Sequence, residues 1–189
     1  MKKDNLEEGL GQIQTLMQDE KWQSALDAMN KLDKKSANTP AILTAKGDCH
    51  IHLEQPEEAI PFFYKVTEIQ PKSVEAWNNL GVAYMFAQDF ASAEKTYLEA
   101  LQFQPDNLST LKNLAFLLYQ QEDRVGEAAT LLANLIRRYP SDCEALYLMG
   151  MCYQQGGETD SARVCFERML QYEPDSILAK DALNALQSE

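Results

Sequence analysis

Cys49 and His52 stand three residues apart, a spacing that puts a thiol and an imidazole on one helix face and could begin a metal site. A tetrahedral site needs further donors, and no third or fourth ligand accompanies the pair. The other histidine, His50, falls on a different face. Cys143, Cys152 and Cys165 show no paired CxxC spacing, so neither zinc nor a redox motif is indicated. Small packing residues account better for Cys49 and Cys152, and Cys165 reads the same way. Arg137 and Arg138 lie near a helix end, where cations favour the dipole. No phosphate loop, nucleophile elbow or HExxH occurs, and two histidines in one helix give a catalytic triad little to draw on. The chain therefore reads as non-catalytic, without metal or cofactor.

Charge narrows the partners. Lys plus Arg total 17 against 29 Asp plus Glu, a formal net charge of −12. Such a surface repels phosphate backbones and anionic membranes, so nucleic acid is an unfavourable ligand. Apolar residues make up 45%, an ordinary globular share that argues against disorder. Lys2 and Lys3 are followed by Asp4, Glu7 and Glu8, where a signal peptide would need an apolar stretch. No run approaches the roughly 18 apolar residues of a membrane span. Four unpaired cysteines suit a reducing cytoplasm.

The elements that must position any functional residue are written in a repeat. Pro71, Pro105, Pro140 and Pro174 recur at intervals of 34, 35 and 34 residues, and Pro40 precedes them. One unit carries Trp77, Leu80, Gly81, Tyr84, Ala93, Tyr97, Ala100 and Pro105. Another carries Leu146, Met149, Gly150, Tyr153, Ala162, Phe166, Met169 and Pro174. The unit before Trp77 has Leu43, Gly47, Ala59, Phe63, Val66 and Pro71, with His50 in the tyrosine slot. The unit after it has Leu111, Leu114, Ala115, Leu118, Ala128, Leu132, Leu135 and Pro140. One extra residue within Gln121–Gly126 belongs in its turn. Apolar residues three and four apart give each helix one buried face, and each proline prevents the preceding helix from continuing.

These spaced positions resemble the tetratricopeptide repeat. The resemblance implies an all-α, right-handed superhelical solenoid of antiparallel helix hairpins. Repeats are expected at about 6–39 (a weak one, from Leu6 with Gly9, Gln12 and Ile13 off pattern, then Trp22, Ala25, Met29 and Leu32), 40–73, 74–107, 108–142 and 143–176. A capping helix follows at 177–187, all within a single domain spanning 1–189.

In this family the first helices line a concave groove that usually binds a peptide. Carried over, the resemblance implies groove residues Asn78, Asn79, Val82 and Phe86, then Lys112, Asn113, Phe116 and Tyr119, then Tyr147 and Met151. Leu148 should lie near them. Position nine, commonly polar in the family, reads Val82, Phe116 and Met151, so the expected floor is apolar. Asn79 and Asn113 share position six, from which an amide can both donate to and accept from a peptide backbone. Asp48, Glu75 and Glu144 at the rim favour a basic or neutral partner. Relatives that clamp a chaperone's C-terminal carboxylate need Asn at nine and basic residues further on. Phe116, Glu144 and Leu148 stand there instead, so that clamp is absent. The expected role is a protein-interaction scaffold holding a peptide or amphipathic helix. Self-assembly into a homo-oligomer and a secretion-type chaperone are the alternatives.

Overall fold

A computed structural model describes residues 2–32 and 34–186 of the chain, and among them every element is helical. The side chain of Leu6, expected to open the first repeat, lies outside the described residues, as does position 187 of the expected capping helix. Two compact units are present, Met1–Pro105 and Asp106–Glu189. The first holds α1 (Lys2–Gln18), α2 (Trp22–Asn30), the short α3 (Lys34–Ala37), α4 (Pro40–His52), α5 (Pro56–Ile69), α6 (Val74–Phe86) and α7 (Phe90–Phe103). The second holds α8 (Leu108–Tyr119), α9 (Val125–Arg138), α10 (Cys143–Gln155), α11 (Thr159–Tyr172) and α12 (Ile177–Ala185). Consecutive long helices pack as hairpins, α4 on α5, α6 on α7, α8 on α9 and α10 on α11.

The same short signal ends one hairpin and starts the next. Gln70, Gln104, Tyr139 and Glu173 each precede a proline and leave helical geometry, with ψ between 66° and 85°. Two residues beyond the proline, Ser73, Asn107, Asp142 and Ser176 cap the following helix. Each side-chain oxygen accepts a hydrogen bond from a backbone N–H three residues on. The α4 helix starts differently: Thr39 makes no side-chain cap, and Pro40 occupies the first turn, where a missing N–H costs nothing.

Within the α1–α2, α4–α5, α6–α7 and α10–α11 hairpins the chain turns through a left-handed residue at one fixed register. It is Glu20 (φ 57°), Glu54 (58°), Gln88 (59°) and Gly157 (76°). Only the last is the residue type that adopts this conformation without penalty. The α8–α9 hairpin has a 3₁₀ turn at Glu122–Arg124 instead, in the segment that carries the extra residue.

Packing explains the invariants of the repeat. Ala59, Ala93, Ala128 and Ala162 are fully buried where second helices approach first ones. Across from them, Gly47, Gly81 and Gly150 lie under the rings of Phe63, Tyr97 and Phe166, and a Cβ at any of the three would enter that ring. The rings themselves are buried, each contributing about 1.5–3 kcal/mol from area removed from water. Tyr97 carries a cost its counterparts lack, because its hydroxyl is buried without a hydrogen-bond partner.

One core slot departs from the pattern. Lys46 occupies the position held elsewhere by Leu80, Leu114 and Met149, and it is only 8% exposed. Its ammonium donates to Asn30 Oδ1 of α2 at 2.8 Å and lies 5.8 Å from the Phe62 ring centroid. His50 stacks on the same ring at 5.4 Å. Burial lowers the Lys46 pKa.

Candidate functional site

The inner residues expected from the repeat pattern fall into two groups, one in each unit. In the first unit, α4 and α6 border a cavity of about 300 Å³ lined by Ala41, Thr44, Asp48, Glu75 and Asn79. Asp48 is half-buried, and desolvation raises its pKa; Glu75 pushes it further up while His52 opposes. His52 in turn stacks flat on Trp22, with centroids 4.0 Å apart and planes 3° from parallel. Further along α6, Asn78, Asn79 and Val82 are partly exposed, and Phe86 is 55% exposed. Helical periodicity carries these residues out of the core, because Ala76, Leu80, Gly81 and Ala83 take the buried face of α6.

In the second unit, α8 and α10 lie side by side. Lys112 reaches from α8 to α10, where its Nζ contacts Asp142 Oδ2 at 3.1 Å and Glu144 Oε2 at 2.5 Å. Asp142 is also the α10 cap, accepting from Ala145 N at 2.8 Å, so its position is fixed from two sides. Desolvation pulls the Lys112 pKa down, but the hydrogen bonds and charges of Glu144 and Asp142 outweigh it and the net shift is upward. The ammonium is thus neutralised locally. One turn on from Lys112, the rings of Phe116 and Tyr119 stack at 6.4 Å. Both are partly exposed, as is Asn113.

On α10, Tyr147 and Met151 stay partly exposed but pack against the cluster of Ala162, Phe166 and Leu186. Tyr147 meets the Phe166 ring at 5.8 Å and 43°. Leu148, expected near the apolar floor, is instead buried at 7% exposure. Glu144 was expected at the rim, but its pairing with Lys112 and the part of Asp142 were not. Their signal was present in the capping residue that follows each proline and the acidic residue two positions later, as also in Ser73 and Glu75.

Cys49 and Cys152 are buried, and burial pushes both thiols up to about 11. Among the described residues no group of three His, Cys, Asp or Glu side chains is placed to hold a metal ion, and no helix is long and apolar enough to cross a membrane.

Hairpins closed by proline, capped two residues later and locked by a glycine under an aromatic ring define a helical-repeat protein, and the chain belongs to the tetratricopeptide-repeat family. Residues 65–176 match the cytochrome c-type biogenesis protein H TPR domain, and residues 40–73 match the tetratricopeptide repeat itself. The chain is similar to the protein O-mannosyl-transferase Tmtc3 of Drosophila melanogaster, 34% identical over 59% of this chain and 12% of that protein. It is also similar to the TPR repeat-containing protein YvcD of Bacillus subtilis (strain 168), 34% identical over 49% of this chain and 19% of that one. The chain thus spans a small part of these relatives' length. Among solved structures, TTC0263, a thermophilic TPR protein of Thermus thermophilus, superimposes with a TM-score of 0.78 at 13% identity, covering 97% of this chain and 99% of that one. YrrB, described as a TPR protein with an unusual peptide-binding site, superimposes with a TM-score of 0.66 at 17% identity, covering 91% and 88%.

Proposed function

We propose that this chain is a non-catalytic protein-binding module that holds a partner's peptide or amphipathic helix on the inner faces of its first helices. The observation that carries this reading is the exposure of large apolar side chains at inner positions. Phe86 is 55% exposed, and the stacked pair Phe116 and Tyr119 is partly open to solvent. Rings left at the surface in this register are anchors waiting for apolar cover. The flanking charge selects the partner. Asp48 and Glu75 share a cavity, and desolvation raises the Asp48 pKa, so an incoming ammonium or guanidinium would stabilise its carboxylate. In the second unit the inner cation Lys112 is already bound by two carboxylates, which leaves a basic or neutral segment as the better fit. The peptide-binding site described for YrrB is a precedent on the same fold.

The test is capture from source cells with wild-type chain and with Phe86→Lys and Phe116→Lys as baits. Both variants should keep wild-type helicity by circular dichroism and lose the wild-type partner. Retention of the same partner by both would end the proposal. A second reading, self-association, is favoured by Ile177 and Leu178 of α12, which are 73% and 49% exposed. Light scattering on the purified chain separates the two: a monomer supports peptide capture, and a defined oligomer lost on Ile177→Lys supports self-association.

A further inference from the structure

All five arginines of the chain lie between positions 124 and 168, and three of them are in ion pairs: Arg124 with Glu127, Arg138 with Asp106, and Arg163 with Asp160. The other two, Arg137 of α9 and Arg168 of α11, have no carboxylate partner among the described residues. Both border one open cavity of about 430 Å³. Its remaining walls include Ala133, Ile136, Leu146 and Val164, none of them an inner-face residue, and Val164 is 61% exposed at the surface. Arg137 donates only to Asn134 Oδ1 at 3.0 Å, and Arg168 to the carbonyl of Pro140 at 3.1 Å. Two guanidiniums beside an apolar hollow are exceptional on a chain of net charge −12.

The equivalent hollow 69 residues earlier shows how this one arose. There Tyr64, Trp77, Lys95 and Glu99 line about 290 Å³. Their counterparts are Ala133, Leu146, Val164 and Arg168, so two aromatic rings have been cut back and the volume has grown. In the earlier hollow, Trp77 Nε1 donates to the Pro71 carbonyl at 2.8 Å; with leucine at 146, Arg168 takes over that carbonyl. Glu68, which pairs with Lys65 outside the lining of the earlier hollow, corresponds to Arg137, as Glu99 of the lining corresponds to Arg168. The substitutions together enlarge the cavity and replace a lining of one lysine and one glutamate by one of two arginines.

We propose that this outer cavity of the second unit is a separate docking site for an acidic segment of a partner protein, one presenting a bulky apolar side chain next to a carboxylate. The apolar side chain fills the space between Ala133, Leu146 and Val164, and the carboxylate bridges Arg137 and Arg168, whose planar forks suit bidentate pairing. Neither interaction suffices alone: the overall negative charge repels an acidic segment that lacks an apolar anchor, and an apolar segment leaves the guanidiniums uncompensated. A partner surface is the favoured source, because so open a hollow cannot enclose most of a small ligand as dedicated small-molecule sites do.

The proposal is independent of the inner-face reading, and its test keeps them apart. The full chain is titrated with acetyl-Leu-Phe-Asp-Glu-amide, with its neutral analogue acetyl-Leu-Phe-Asn-Gln-amide, and with decanoate, following backbone amide NMR signals. The acidic peptide should shift Ala133, Val164 and Cys165 and bind about tenfold more tightly than the neutral one. Arg137→Glu with Arg168→Glu should erase that preference at unchanged helicity, as should Val164→Glu, while Phe116→Lys leaves it intact. Equal binding of the two peptides, shifts confined to α8, or a response to decanoate but not to peptide would each overturn the assignment.

Discussion

The hairpins α6–α7 and α10–α11 lie 69 residues apart in sequence and share one backbone plan, yet they use their side chains differently. Gly81 and Gly150 sit under Tyr97 and Phe166, Ala93 and Ala162 are fully buried, and Ser73 and Asp142 cap the first helices. Around that shared frame, Trp77 corresponds to Leu146, Ala83 to Cys152, Gln88 to Gly157 and Phe86 to Gln155. Between these two hairpins the close-approach glycines do not vary, because an added methyl group at Gly81 or Gly150 would enter the facing ring. Positions that border a cavity or solvent are free to exchange size and charge. Function in this chain is therefore to be sought where the two hairpins disagree.

The sharpest challenge to this comparison comes from the positions that agree. Gly81→Ala and Gly150→Ala should each cost about 3 kcal/mol in urea unfolding, because the added Cβ would overlap a fully buried ring. A large cost at one site and none at the other would break the equivalence of the hairpins.

The next effects come from swapping what differs. Phe166→Tyr should destabilise by about 2 kcal/mol by burying a hydroxyl, whereas Tyr97→Phe should gain about 1 kcal/mol by removing the one that already lacks a partner. A loss in both directions would mean that the Tyr97 hydroxyl has found a partner in solution.

Alkaline titration separates Cys152 from its counterpart Ala83. The folded thiol titrates at about 11, above the roughly 8.5 of an unfolded cysteine, so the unfolded chain gives up its proton first. Stability contributed below that lower value is then lost as pH rises through the window. Cys152→Ala should recover on the order of 2 kcal/mol near pH 10.5 relative to its effect at pH 7. An identical pH profile for the variant and the wild type would count against this.

The smallest contrast is at the turns. Gln88→Gly should stabilise by about 0.5 kcal/mol and Gly157→Ala should destabilise by about 1 kcal/mol, since both sites hold a left-handed backbone. Thermal midpoints of the two variants should move in opposite directions.

The hairpins were legible from the sequence because their determinants are local and periodic: proline, cap, glycine and ring recur at fixed spacing. The partial exposure of Asn78, Val82, Asn113 and Phe116 agrees with the same register. Other features were not legible, because they depend on which side chains meet across helices. Lys112 reads as a groove cation until Asp142 and Glu144 are seen to hold it. Leu148 reads as lining, yet it is buried. The outer cavity has no signature of its own; only a residue-by-residue comparison at 69-residue spacing sets Glu68 and Glu99 against Arg137 and Arg168.

Lys46 has a consequence for how the molecule comes apart. Ala25, Leu26 and Met29 of α2 pack on Ile42 and Cys49 of α4, but the slot that other hairpins fill with leucine or methionine holds an ammonium bound by one neutral amide. Separating those helices returns a cation held only by a neutral amide to water, whereas opening the α8–α10 joint would part Lys112 from two carboxylates, so the N-terminal hairpin should peel away before the rest melts. Amide hydrogens of α2 would then exchange faster than those of α6 or α10, and Lys46→Leu would slow them.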